Sequence, residues 1–192
     1  VELLQILLII GDRISMHLRK LSIEDAPLMV EWMHDYDVVS NLAGKFLSKD
    51  IQDCQRFIAD SETDKRNFHL AIANEMDEYM GTVSLKNIEI DAHIAEFAIV
   101  VRKCAMGKGY AQYAMEEIIR CGFEKLSLKK IYWCVSRENK RALRFYEKNG
   151  YGTTTEVPKQ LIKLYSDCGK DLEWYVVEGT EKHAKNGRKE II

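Results

Sequence analysis

The residues best arranged for chemistry lie in two short segments. In Met106-Gly107-Lys108-Gly109-Tyr110-Ala111, an apolar run gives way to two glycines and then to a helical pattern. A strand that turns through glycine into a helix suits a phosphate. Unpaired backbone N–H groups and the helix dipole point at the anion, and the glycines let it approach the backbone. Two phosphate loops are excluded: the third glycine of Gly-x-Gly-x-x-Gly falls on Gln112, and Lys108 is followed by Gly109 where a triphosphate loop needs Ser or Thr. Taken alone, Gly-Lys-Gly is equally an ordinary helix-start turn. The second segment runs from Asn139 to Tyr151 and sets Asn139, Ala142 and Tyr146 on one helical stripe at spacings of three and four. By itself it also fits a short amphipathic helix with Phe145 in the core and Tyr146 half buried. Outside these segments Glu96 interrupts an apolar strand, Ala95 to Val101. Glu31, Asp35 and Asp37, with Trp32, His34 and Tyr36 between them, could line a pocket for a cationic amine or form a solvated helix end. The five histidines show no metal-ligand spacing, so no metal is expected.

The elements that must carry these residues follow from periodicity. Ile14, Met16 and Leu18 alternate with polar residues as in a half-buried strand. Ser22 and Asp25 form a variant capping box for a helix running to about His34, and a polar connection through Asp35, Asp37, Ser40, Asn41 and Gly44 leads to a helix over about 49–60. Strands follow at Phe68–Ala73, Tyr79–Ile90 and His93–Val101, an antiparallel meander. After the glycine loop, Ala111, Ala114, Met115, Ile118, Ile119 and Phe123 mark the apolar face of a helix. A strand at Ile131–Val135, a helix over Arg137–Lys148 and a closing hairpin of Tyr151–Tyr165 with Leu172–Val177 complete the pattern. One domain is expected over 13–178, between an apolar extension at 1–12 and a polar tail at 179–192.

Composition limits what such a domain can do. The chain has 192 residues, 46% apolar, with 28 Lys and Arg against 30 Asp and Glu, which fits a single compact domain. A net charge of -2 excludes a nucleic-acid binder that works by bulk positive charge. Five scattered cysteines without a Cys-x-x-Cys pair suggest neither a disulfide framework nor a zinc knuckle, and point to a reducing compartment. The aliphatic stretch Val1 to Ile10 is shorter than the ~20 residues a spanning helix needs.

In their order and separation, the two segments resemble the GNAT superfamily of acyl-CoA-dependent N-acetyltransferases. Its signature Gln/Arg-x-x-Gly-x-Gly/Ala falls on Met106 to Ala111, and its Asn-x-x-Ala-x-x-x-Tyr-x-x-x-Gly-Phe falls on Asn139, Ala142, Tyr146, Gly150 and Tyr151. The branch with ribosomal-protein, spermidine and nucleotide-amino-sugar acetyltransferases is similar in Ala95–Val101, Phe145–Lys148 and Asp171–Trp174. The resemblance implies an α/β (α+β) GNAT fold. This is a mixed, mostly antiparallel sheet of six to seven strands, flanked by about four helices, with strands splayed at the acetyl-CoA site. Two departures stand out: Met106 replaces the usual Gln or Arg, and Cys134 stands where some ribosomal-protein enzymes carry a glutamate base.

What the resemblance implies for the chemistry is specific. Acetyl-CoA is the co-substrate. Tyr146 protonates the departing thiolate, which a phenol of pKa ~10 suits. Ile99, Val100 and Val101 pair with pantetheine, the loop Met106, Gly107, Lys108, Gly109, Tyr110, Ala111 and Gln112 holds the pyrophosphate, and Asn139 and Tyr146 help hold the cofactor. Glu96 is the candidate base, directly or through water, with an exposed strand position or a grip on the amine as the other readings. Trp32, Asp35 and Tyr36 are candidates for the acceptor site. The expected partner is a small-molecule amine, a polyamine or amino sugar, with no nucleic acid and no membrane. A homodimer is a candidate assembly and the cytoplasm the expected compartment. A protein N-terminus as acceptor, or an inactive acyl-CoA sensor, are the alternatives.

Overall fold

A computed structural model describes residues 16–179 apart from positions 41 and 43. Ile14, Asn41 and both expected terminal segments, save Gly179, lie outside the described residues. The chain runs β1 (His17–Lys20), α1 (Ala26–Met33), α2 (Tyr36–Val39), α3 (Ile51–Ser61), β2 (Phe68–Ala73), β3 (Tyr79–Glu89), β4 (Ile94–Val101), α4 (Tyr110–Glu124), β5 (Lys130–Ser136), α5 (Lys140–Lys148), α6 (Lys159–Leu164) and β6 (Leu172–Glu178). Six strands form one sheet in chain order. Every neighbouring pair is antiparallel except β4 and β5, which α4 connects as a parallel crossover.

Helix starts follow the side chains that satisfy first-turn N–H groups. Asp25 accepts the Ser22 N–H at 2.9 Å ahead of α1. At α3, Asp50 and Asp53 exchange backbone N–H bonds at 2.9 and 3.2 Å, a capping box that sets the start two residues later than expected. Asn139 accepts the Ala142 N–H at 3.1 Å, so α5 begins at Lys140 rather than Arg137.

The sheet has two covered faces. Val83, Leu85, Ala95, Phe97, Ile131 and Trp133 pack with the apolar stripe of α4. On the other side α1, α2 and α3 bring Met29, Trp32, Val38 and Ile58 against Ala71 and Tyr79. Along β3 and β4 the alternation leaves Thr82, Ser84 and Lys86, and Glu96, Ala98 and Val100, on the α1–α3 side. Among the described residues no helix is long and apolar enough to cross a membrane.

Two expectations about elements are corrected. The expected strand Tyr151–Tyr165 is an extended segment with a single bridge, Thr153 to Tyr175, followed by α6. Pro158 has no N–H to donate to a ladder, and the Lys-Gln-Leu-Ile-Lys-Leu that follows has helix formers rather than a β-branched run, with Leu161 buried against Ile94 and Tyr132. The expected closing hairpin is therefore a helix and a loop leading to β6. The polar connection after α1 contains the one-turn α2, whose Asp35 cap accepts the Asp37 N–H at 2.9 Å. Both turns add to the four expected helices.

At one point the sheet leaves no room for a side chain. A Cβ on Gly81 would stand 2.9 Å from the Val101 Cα and closer still to the Val100 carbonyl, both backbone. Gly81→Ala should therefore push β3 from the end of β4 and destabilise the fold by about 1–3 kcal/mol, the usual range for overpacking. A fall in the urea midpoint at unchanged slope is the expected result.

Candidate active site

Parallel pairing between β4 and β5 extends only from Ile94–Lys130 through Ala95–Ile131 to Glu96–Tyr132. Beyond Glu96, β4 keeps β3 as a partner to Val101, while β5 continues to Ser136 against β6. The strands splay, and a cleft of about 1050 Å³ opens between them. Ile99, Val100 and Val101 line it, as do Met106, Gly107, Gly109, Ala111 and Gln112 of the glycine loop. Asn139, Tyr146 and Glu96 line it too, so the structure brings most of the expected site residues together.

The loop is shaped for an anion. Gly107 and Gly109 adopt φ of 76° and 88°, in the left-handed region that favours glycine. A Cβ at Gly107 would meet no atom within 4 Å, so the space above the loop is open to a ligand. Directly behind it, the first turn of the fifteen-residue α4 leaves N–H groups without intrahelical partners. Not every expected loop residue contributes a side chain. Tyr110 is buried in the α4 core, where only its backbone can serve the loop, and Lys108 points away from the cleft wall into solvent. Asn139 uses its Oδ1 to cap α5, which leaves its NH2 as the group that can reach a cofactor.

Sequence reasoning missed Arg141. Its guanidinium lies 2.7 Å from the Met106 Sδ, so a cation from α5 stands at the loop position that lacks the usual Gln or Arg. The available signal was the place of Arg141 in the first turn of α5, two residues after the cap.

Tyr146 sits in an aromatic cluster with Trp133, Tyr175 and Tyr151, at centroid distances of 5.4, 5.0 and 6.3 Å. Among the described residues nothing hydrogen-bonds to its hydroxyl. Burial, with Tyr175 and Cys134 adding to it, holds the phenol well above its ordinary pKa.

On the opposite face Glu96 is 2% exposed, so the exposed-strand reading of this residue is set aside. Its Oε1 pairs with the Lys86 Nζ at 3.0 Å and accepts from the Tyr165 hydroxyl, and its Oε2 accepts from Asn87 at 2.8 Å. Burial and Glu96 both raise the Tyr165 phenol. They also push the Cys134 thiol up to about 12, so it stays protonated at neutral pH. Tyr165 is a further residue that sequence reasoning missed, because α6 was read as a strand; Lys86 and Asn87 on β3 were missed as well, since they meet Glu96 across the sheet.

The expected acceptor residues lie elsewhere. Trp32 is buried in the core under α1 and donates its indole N–H to the Tyr79 hydroxyl at 3.1 Å. Asp35 caps α2 and faces Lys103 at 3.7 Å, and Tyr36 is exposed beside a separate small cavity of about 330 Å³. The structure places none of the three on the wall of the large cleft. From this region Val38, Leu42, Gly44 and Phe46 line it instead. Lys170, which lines the cleft, donates from its Nζ to the Ser40 carbonyl at the end of α2 at 2.8 Å.

Residues 15–152 match the acetyltransferase (GNAT) domain. The chain belongs to the GNAT acetyltransferase family. As a GNAT acetyltransferase it uses acetyl-CoA, which the glycine loop and the splayed strands fit. It is 27% identical over 157 residues to the uncharacterized N-acetyltransferase p20 of Bacillus licheniformis, covering 77% of this chain and 88% of that protein. It is 35% identical over 80 residues to the spermidine N(1)-acetyltransferase of Escherichia coli K12, covering 42% of this chain and 43% of that enzyme. The acetyltransferase PseH of Campylobacter jejuni is 23% identical over 152 residues, 78% of this chain and 92% of PseH. A crystal structure of spermidine N-acetyltransferase from Vibrio cholerae, in complex with CoA and spermine, superposes with a TM-score of 0.72 at 18% identity, over 85% of this chain and 95% of that one. At that identity the likeness establishes the fold.

Two variants test the loop. Gly109→Glu sets bulk and negative charge where the pyrophosphate is expected and forces a side chain into a left-handed backbone, so CoA binding by calorimetry should vanish in a folded protein. Arg141→Gln removes one charge-assisted contact, and CoA affinity should fall about tenfold or more. Wild-type affinity in either variant would move the cofactor elsewhere.

Proposed function

We propose that this GNAT domain transfers acetyl from acetyl-CoA to the primary amine of a small metabolite, an amino sugar or a polyamine, by direct attack. One observation carries this reading: Tyr146 is largely buried, has no hydrogen-bond partner for its hydroxyl among the described residues, and stands on the wall of the gap between β4 and β5, where the thioester must lie if pantetheine pairs with β4. Tyr146 then protonates the leaving thiolate: burial keeps the phenol fully protonated at neutral pH, and its proton loss is coupled to uptake of the second proton of the acceptor nitrogen. Glu96 grips the acceptor amine with the carboxylate lone pair that Lys86, Asn87 and Tyr165 leave over. The Lys170 strap to Ser40 supports a small acceptor over a peptide N-terminus, which needs an open groove. Arg141 supplies the cation that Met106 lacks, which removes one reason to read the domain as an inactive sensor. The domain spans 13–178 and acts in the cytoplasm, without nucleic acid or membrane, with a homodimer as the assembly to test.

Charge ranks the acceptors. The cleft is lined by Lys86, Arg141, Lys148, Lys163 and Lys170 against Glu96 and Asp167. The acidic residues at the end of α1 and around α2 are already paired, Glu31 with Arg102 at 2.8 Å and Asp37 with Lys103 at 2.6 Å. A polycation therefore finds little to hold it, and an amine that also carries phosphate is favoured.

The test incubates the protein with acetyl-CoA and spermidine, glucosamine, glucosamine 6-phosphate or a tetrapeptide while free thiol is followed. Thiol release should be fastest with glucosamine 6-phosphate, and kcat/KM should exceed that for spermidine by about tenfold. Release with the tetrapeptide alone would select the N-terminal reading, and CoA binding without release across the panel would select the sensor. Tyr146→Phe keeps the ring and its packing, so CoA affinity should hold while kcat falls ~10²-fold, the scale for losing a positioned acid. A wild-type kcat in that variant, with chemistry rate-limiting, would return Tyr146 to a packing role.

A further inference from the structure

At neutral pH an alkylamine reaches the cleft as an ammonium ion and must lose a proton before it can attack. Glu96 is poorly placed to take that proton, because three donors already converge on its oxygens. A different pair stands nearby. His69 on β2 and Ser84 on β3 are register partners, and the His69 Nδ1 lies 2.7 Å from the Ser84 Oγ. Ser84 is in turn the partner of Ala98 on β4. Ala98 is the first residue on the Glu96 face after pairing with β5 has ended. Ser84 therefore lines the cleft where the strands begin to splay, about 7 Å along the sheet from the Lys86–Glu96 pair.

The geometry points to Ser84 and His69 as the proton outlet for the acceptor amine, with the Ser84 hydroxyl meeting the nitrogen and the imidazole behind it receiving the proton. This inference rests on the acetyl transfer proposed above. The surroundings of His69 keep the imidazole neutral and in place. From α3 the Phe57 ring packs edge-on at 4.8 Å. Burial lowers the His69 pKa below its ordinary value, Asp64 from the loop before β2 opposes that, and Lys86 from β3 reinforces it. With the neutral ring protonated on Nε2, Nδ1 accepts the Ser84 O–H. The ring is only partly buried, so Nε2 can pass a proton on to water.

The transfer then balances as follows. One ammonium proton moves to the Ser84 Oγ as the hydroxyl proton moves to His69 Nδ1, His69 releases a proton from Nε2 to solvent, and proton exchange with water between turnovers returns the ring to its Nε2–H tautomer. The neutral nitrogen attacks the acetyl carbon, the C–N bond forms and the C–S bond breaks. Tyr146 protonates the thiolate, and the second nitrogen proton restores Tyr146. The net products are the amide, CoA thiol and one proton.

The test measures kcat/KM against pH for thiol release from acetyl-CoA with glucosamine 6-phosphate and with spermidine. In the wild type kcat/KM should be level between the lowered pKa of His69 and the pKa of the amine. In His69→Asn, whose Oδ1 can still accept the Ser84 O–H, it should be ~10²-fold lower at pH 7 and rise tenfold per pH unit toward the amine pKa. Ser84→Ala should behave alike, the double variant should lose no more than either single one, and Ser84→Thr, which keeps the hydroxyl, should restore the level profile. CoA affinity should be unchanged throughout. A His69→Asn profile parallel to the wild type would overturn the relay and leave the transferase reading standing. Wild-type protein that releases no thiol with any acceptor would overturn both.

Discussion

The geometry of the site depends on the place where β4 and β5 part. Buried backbone N–H and C=O groups are costly unless paired, and adjacent strands ordinarily pair along their whole common length. Here the parallel ladder ends at Glu96–Tyr132, so the rest of β4 has β3 on one side and the cleft on the other. Pantetheine carries amides of its own and can take the place of the missing strand. The close approach at Gly81 holds β3 and β4 together at the far end, beside Val100 and Val101. The β3 partner thus stays fixed while the β5 side stays open, and cofactor and acceptor can meet through the gap from opposite faces of the sheet.

Charge in the molecule is arranged around that gap. Arg102 follows β4 directly and is nearly buried, with Glu31 of α1 at 2.8 Å, Glu78 at 2.7 Å and the Tyr79 carbonyl at 3.0 Å. Removing either carboxylate would leave a poorly hydrated guanidinium undercompensated. The three groups therefore lock α1 to the end of the central strands. The same arrangement uses acidic residues that could otherwise have drawn a cationic acceptor, while lysines from β3, α6 and the loop after it remain on the cleft wall. Fold stability and acceptor preference are coupled through these ion pairs.

Much of this could be read from the sequence. The meander was visible because β2, β3 and β4 are strand-like runs parted by turn residues at 74–78 and 91–92, and α4 because its apolar stripe runs from Ala111 to Phe123. The glycine loop was legible from two glycines whose positive φ only a turn would demand. The misreadings share a cause. In Tyr151–Tyr165 the aromatic and threonine-rich start has the texture of a strand, while Pro158 and the short run after it decide for a helix that covers only Leu161 deeply. Trp32 was placed at a pocket because it stands among charges in sequence, but on α1 its position faces the core, where Phe46 packs on it edge-on at 5.2 Å. Tyr165 and Arg141 were missed for a further reason. Each acts on a residue far along the chain, Glu96 and Met106, and no local pattern announces such a meeting.

An amide-forming transfer needs one group that carries a proton at neutral pH and one that does not, and burial contributes to both. Burial disfavours the charged form of any group. Applied to Tyr146 in its aromatic cluster, it disfavours the phenolate, so the hydroxyl is held protonated at neutral pH and, in the proposed transfer, gives its proton to the thiolate only as the second amine proton replaces it. Applied to His69 against Phe57, it disfavours the imidazolium, so the ring stays free to receive a proton. Tyr146 belongs to the core on the α4 side of the sheet, and Ser84 and His69 belong to the other side. Donor and acceptor therefore cannot neutralise one another directly, because the sheet separates them everywhere except at the splay. In the proposed transfer only a substrate that threads the gap connects them, which would make the opening between β4 and β5 the route for acetyl and for protons alike.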